Sequence, residues 1–245
     1  MIRKLVFFVL FTAFSSGVMA QSEPKATEKR KGRPNIPGTF AVDLGFNIPS
    51  EIESFNTGIF GSRTVNFYYY YDYQLGKSKF SVHPGIGFGL ERYKFNNDRT
   101  LGYISGANPF DTLRMVPVSS LFANSIKVKK SGLITNYFDI PVEFRFSSNP
   151  DDPGRSFKVS LGFKVGIMYD SYTKIKYSQD GEIKKIKDKQ NYNLNPFRYG
   201  VSLRVGAGNV SVFSYYSLTP LFKDKKGPGG AEITNFTVGV TLAAF

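Results

Sequence analysis

The sequence has no cysteine, no tryptophan and a single histidine. Each absence closes a class of explanation. Without cysteine there is no disulfide and no lipid-bearing cysteine, so the fold must hold itself without crosslinks. Beyond the first residues no apolar run reaches about 18 positions, which excludes helical membrane spans. Catalysis of acyl transfer or proteolysis generally needs a histidine beside a nucleophile or an acid, and only His83 is on offer. The acidic residues lack the spacing of a calcium loop, so neither a metal nor another cofactor is expected.

The chain opens MIRKLVFFVLFTAFSSGVMA, in which Arg3 and Lys4 precede an apolar run from Leu5 to Phe14 and a small, polar segment ends at Ala20. That is the layout of a signal peptide over residues 1–20, and its apolar run is too short to anchor the chain. Residues 21–38 are basic, contain proline and show no periodicity, so they read as a flexible tail. The formal charge of +13 could suggest nucleic acid. Export argues instead for anionic partners at a membrane surface, the outer-membrane lipid headgroups or lipopolysaccharide phosphates.

From Thr39 to Phe245 the chain alternates with period two, the strand signal. Phe40, Val42, Leu44 and Phe46 oppose Asp43 and its small neighbours. Further on, Phe138, Ile140, Val142 and Phe144 oppose Tyr137, Asp139, Glu143 and Arg145, and Phe197, Tyr199, Val201 and Leu203 oppose Arg198, Gly200 and Arg204. Eight such strands are predicted. The polar faces carry glycine together with six acids, Asp43, Asp72, Glu91, Asp139, Glu143 and Asp170, and five bases, Arg145, Lys158, Lys164, Arg198 and Arg204, with His83 among them. A water-facing sheet has no need of such near-balance; a narrow barrel interior does, because its charges must pair across the lumen. The pattern therefore predicts an all-β, eight-stranded antiparallel transmembrane barrel with a side-chain-filled lumen, greasy outside and polar within.

The stretch RTVNFYYYYDYQL then divides between two faces. Tyr69, Tyr71 and Tyr73 look outward to an interfacial girdle, and Tyr68 and Tyr70 fill the lumen, where neighbouring glycines admit them. Connections GKSK, SSNPDDPGR and GN are short, whereas those near 49–62, 96–132, 178–192 and 220–232 are long. Short turns on one side and long loops on the other place the turns, and both termini, in the periplasm of a Gram-negative outer membrane. The longest loop, 96–132, is too apolar for a disordered insert and is expected to cap the barrel, extend its strands or dock a partner. Lys184, Lys185, Lys187 and Lys189 mark another loop as a solvated hairpin tip or a contact for lipopolysaccharide phosphates.

The segments GSRTVNFYYYYDYQLGKSKFSVHPGIGFGLERYKF and NYFDIPVEFRF, with a closing strand that ends in Phe245, resemble the PorT-like outer-membrane β-barrel family. The resemblance runs over the chain from Thr39 onward. It implies an eight-stranded barrel, with some members serving type IX protein secretion. Asp139 and Glu143 lie about 13 Å apart along one strand, too far for a shared acid–base site. A filled lumen should not conduct. The expected function is thus a non-enzymatic accessory or structural subunit, a docking platform of an outer-membrane secretion or assembly complex, with other outer-membrane or periplasmic proteins as partners. A lipid-modifying enzyme using His83, a small pore and an adhesin remain as alternatives.

Overall fold

The computed structural model describes residues 38–50, 53–104, 112–122, 126–152 and 154–244; the expected signal peptide, the tail up to residue 37 and Phe245 lie outside these. Twelve strands follow in order: β1 (Thr39–Pro49), β2 (Arg63–Tyr70), β3 (Tyr73–Gln74), β4 (Phe80–Phe95), β5 (Arg99–Ile104), β6 (Thr112–Pro117), β7 (Lys127–Ser147), β8 (Phe157–Gln179), β9 (Glu182–Asp188), β10 (Phe197–Ala207), β11 (Val210–Ser217) and β12 (Asn235–Ala244). Eight of them, β1, β2, β4, β7, β8, β10, β11 and β12, pair antiparallel in that order, and β12 pairs back to β1 from Phe40↔Ala244 to Pro49↔Asn235. The sheet is therefore a closed barrel, and closure leaves the ring without an edge.

The two faces follow the alternation. Along β7, Phe138, Ile140, Val142 and Phe144 are exposed while Tyr137, Asp139, Glu143 and Arg145 are buried. Leu161 on β8 is 64% exposed and Asp139 is 0% exposed. An aqueous protein distributes its residues the other way; this one needs an apolar medium around it. Tyrosine and glycine meet across the β2–β4 ladder, Tyr68 opposite Gly87 and Tyr70 opposite Gly85. A Cβ on Gly87 would come within 2.5 Å of the Tyr68 ring and one on Gly85 within 2.8 Å of the Tyr70 ring. The tyrosine run is thus accommodated by the glycines of the next strand.

β7 and β8 are 21 and 23 residues long. A tilted strand crosses a bilayer in about 9–11 residues, so roughly half of each projects beyond it. Within β8 the register steps from Tyr137↔Met168 to Asn136↔Asp170, which leaves Tyr169 unmatched as a bulge. The bulge reverses the phase: Lys158, Lys164 and Gly166 face inward before it, and Thr173, Ile175 and Tyr177 are the buried set after it. β9 pairs with the upper part of β8, from Thr173↔Asp188 to Gln179↔Glu182, and forms a projecting hairpin.

At this loop end an apolar cluster closes the barrel. All four long connections contribute, among them Phe55 from the first, Leu101 and Leu113 from the β5–β6 hairpin, Tyr192 from the third, and Phe222 and Ile233 from the last. Burying one such side chain is worth about 1.5–3 kcal/mol, enough collectively to order the loops. The 96–132 segment, which the sequence left between capping, strand extension and docking, thus does the first two: its hairpin caps and β7 begins inside it, at Lys127.

Candidate functional site

Two ion clusters cross the lumen at different heights. In the one nearer the loops, β10 presents Arg198 to β7 and β4. Its Nε and Nη2 donate to Asp139 at 2.7–3.1 Å, its Nη1 donates to Glu91, and its guanidinium stacks 3.7 Å from the Tyr137 ring centroid. Asp139 also accepts from Tyr68 Oη at 2.8 Å and lies 3.7 Å from Lys164 Nζ. Lys164 in turn sits 3.8 Å over the Tyr215 ring. Nearer the turns, Arg204 donates to Asp43 Oδ1 at 2.7 Å, to Glu143 Oε1 at 3.0 Å and to Thr241. Glu143 accepts from Tyr70 Oη at 2.9 Å and from Arg145 Nη2 at 3.2 Å. These bonds tie strands that are not neighbours in the ring, so the lumen is spanned as well as filled. Cavities of about 20 Å³ and about 10 Å³ are left within it, each with room for about one water.

Of the twelve lumen residues expected from sequence, ten are buried. The two departures have local causes. Asp170 lies past the Tyr169 bulge, so it is out of the inward phase; it is half-buried and accepts from Lys189 Nζ at 2.9 Å. Asp72 lies beyond the end of β2 and is exposed, yet its carboxylate turns back to accept from Thr39 Oγ1 at 2.7 Å. Lys158 is buried and donates to the Gly208 carbonyl at 3.2 Å.

At the turn end the single histidine has two side-chain partners. His83 Nδ1 is 2.5 Å from Asp72 Oδ1, and His83 Nε2 is 2.7 Å from Ser81 Oγ. An ionised carboxylate only accepts, so Nδ1 donates to Asp72; in a neutral imidazole Nε2 then accepts from the serine hydroxyl. All three line a cavity of about 150 Å³ together with Arg145 and Lys158. Ser81 and His83 alternate on one inward face, and that spacing was the available sequence sign; Asp72 gave none, because it reaches them from a turn.

At the loop end the strand tops carry cations on their outward faces: Arg92 and Lys94 on β4, Lys130 on β7, and Lys174 and Lys176 on β8. Sequence alone singles out the hairpin lysines and not these. Their sign was an outward phase in which apolar residues give way to bases, as in Leu90, Arg92 and Lys94. Among the described residues no group of three or more His, Cys, Asp or Glu is arranged to hold a metal ion.

Comparison with known proteins adds the following. Residues 19–223 match the family model described as outer membrane protein beta-barrel domain. No curated protein matches the chain. Among solved structures, a similar one is Ail, the attachment invasion locus protein of Yersinia pestis, in complex with the heparin analogue sucrose octasulfate. Its identity to this chain is 12%, with 85% of this chain and 100% of that one covered at a TM-score of 0.32.

Proposed function

Because this chain belongs to the outer membrane protein β-barrel domain family and is an outer-membrane β-barrel protein, we propose that it serves there as a non-enzymatic docking subunit. In this reading the short turns and both termini face the periplasm and the four capped loops face outward. The tail would then lie in the periplasm, and the complex served would be of the secretion or assembly type implied by the PorT-like resemblance.

One observation carries the reading. The β7–β8–β9 blade is an ordered sheet that rises well past the length a bilayer requires. On β9 two apolar residues, Ile183 and Ile186, stand exposed among lysines at 59% and 40%. Strand-paired along its length, partly apolar and rising beyond the bilayer, the blade is a surface on which a partner can bury area without a large ordering cost. The lumen supports the same conclusion by offering no solute path. Affinity purification of the full chain from native membranes should recover a stoichiometric protein partner. Ile183→Asp combined with Ile186→Asp should reduce that recovery about tenfold or more with the barrel still folded. An isolated monomer from native membranes would overturn the reading.

A second reading, a lipid-modifying enzyme, is favoured by the Ser81–His83–Asp72 chain, which has the order of nucleophile, base and orienting acid. The docking reading expects these residues to stitch the turn end together. Incubation of the purified barrel with labelled phospholipid should then release no fatty acid. Release that disappears in both Ser81→Ala and His83→Ala would establish the enzyme instead.

A further inference from the structure

Just above the apolar belt, the outward faces of the strand tops bring bases together without acids. Register sets Arg63 opposite Arg92, Lys130 opposite Lys176, Lys174 opposite Lys187, and Lys176 opposite Lys185. Like charges directly opposite one another destabilise a sheet. Three of these pairs and Lys174 of the fourth line one groove of about 470 Å³, which Lys94 also lines, and the groove contains no carboxylate among its lining residues. Elsewhere on the same strands the ordinary remedy is present: Lys184 lies 3.8 Å from Glu182, and Lys189 lies 2.9 Å from Asp170. Among the described residues the groove bases have no such partner. Desolvation, and then repulsion from Lys187, Arg92, Lys185 and Lys176, push Lys174 below its ordinary range. A bound anion would relieve the whole set.

The groove also has an apolar side. Ile134 forms part of its lining and is buried, while Phe60 at its rim is 83% exposed. Phe88, in the belt, packs edge-on to Phe138 and Tyr169. Arg92 lies four residues from Phe88 on the same face, a rise of about 13 Å. The bases therefore stand at the height where headgroups meet acyl chains, beside an exposed aromatic ring. A free anion would use only the bases; an amphiphile would use both.

We propose that this groove binds a phosphorylated glycolipid of the surrounding leaflet. Its phosphates lie among Arg63, Arg92, Lys94, Lys130, Lys174 and Lys176, and an acyl chain runs along Phe60 and Ile134. The site is independent of the docking reading and of the choice of partner. It rests on the loop end lying in a leaflet that holds such lipid, and a binding assay in detergent removes the dependence on orientation.

The experiment is native mass spectrometry of the folded full chain in neutral detergent, titrated with bis-phosphorylated lipid A, with the same lipid after phosphatase treatment, and with inorganic pyrophosphate. Lipid A should bind, and removal of its phosphates should weaken binding about a hundredfold, the loss expected when two charge-assisted contacts go. Replacing Lys94, Lys130, Lys174 and Lys176 together by Gln should have a comparable effect. Lys184→Gln, on the same hairpin but outside the groove, should have none. Since the same bases repel one another in the empty protein, the fourfold Gln variant should also melt at a higher temperature than the parent without lipid, which shows that it is folded. Equal affinity for dephosphorylated lipid, unchanged affinity in the fourfold variant, or pyrophosphate binding as tight as lipid A would each overturn the proposal, the last by assigning the groove to a free anion.

Discussion

Arg198→Leu should lower the stability of the folded barrel by about 3–5 kcal/mol, the cost of leaving buried charge without its partner. The guanidinium satisfies two carboxylates at once, Asp139 through three bonds and Glu91 through one, with the Tyr137 ring against its face. Lys164 cannot take over, since it lies 3.7 Å from Asp139 and already donates to Tyr68 Oη at 3.2 Å. Arg198→Lys should recover only part of the loss, because an ammonium cannot reproduce a planar fork shared between two acids. Replacing Arg198, Asp139 and Glu91 all by Leu should be less harmful than the single change, as no uncompensated ion is then left inside. Urea unfolding in lipid vesicles, followed by tyrosine emission in this tryptophan-free chain, measures all three. A single variant as stable as the parent would mean that the lumen is wet enough to solvate the abandoned acids.

Gly87→Val should prevent assembly of the barrel. A Cβ at this position would lie 2.0 Å from the Phe67 carbonyl oxygen and 2.9 Å from the Tyr68 Cα, both backbone atoms of the facing strand β2. Relief requires parting the β2–β4 ladder, where Tyr68 sits opposite Gly87. The expected loss exceeds about 4 kcal/mol, the range reserved for overpacking against atoms that cannot move. Adding Tyr68→Ala would clear the ring while leaving the carbonyl in place, so rescue should be incomplete. Gly154→Ala, whose new methyl would meet only Asp152 Oδ1 at 3.6 Å, is the neutral comparison. Retention of the compact, heat-modifiable band on gels separates folded from unfolded variants. A Gly87→Val chain that folds normally would show that the strands tolerate a different spacing here.

What the sequence made legible is what a period of two can carry. Phe138 and Asp139, or Leu203 and Arg204, announce their faces by alternation, and repetition over eight strands gives the barrel. The bulge was invisible because Tyr169 is as much at home outside as its predecessors Val165 and Ile167, so nothing in residue type marks the step that displaces Asp170. The hairpin β5–β6 reads as loop because its apolar residues serve a cap made by four separate connections, a long-range assembly without local period, and β9 reads as loop because its two isoleucines stand exposed among lysines. The candidate sites suffered most. Ser81 and His83 share a strand, but Asp72 joins them through a turn. The basic groove exists only once cross-strand register sets Lys174 against Lys187.

The barrel wall encloses charge, and the cap above it encloses hydrocarbon. The two halves consequently answer to different variables. Exclusion of water fades on cooling and in urea, while buried ion pairs surrounded by lipid are little screened by salt. Amide hydrogen exchange should therefore divide the molecule along its axis, with β5 and β6 opening and reclosing many times during the life of one closed ring. A surface that can breathe in this way on a wall that cannot gives the loop end freedom to change shape, or to evolve, without endangering the seal beneath it.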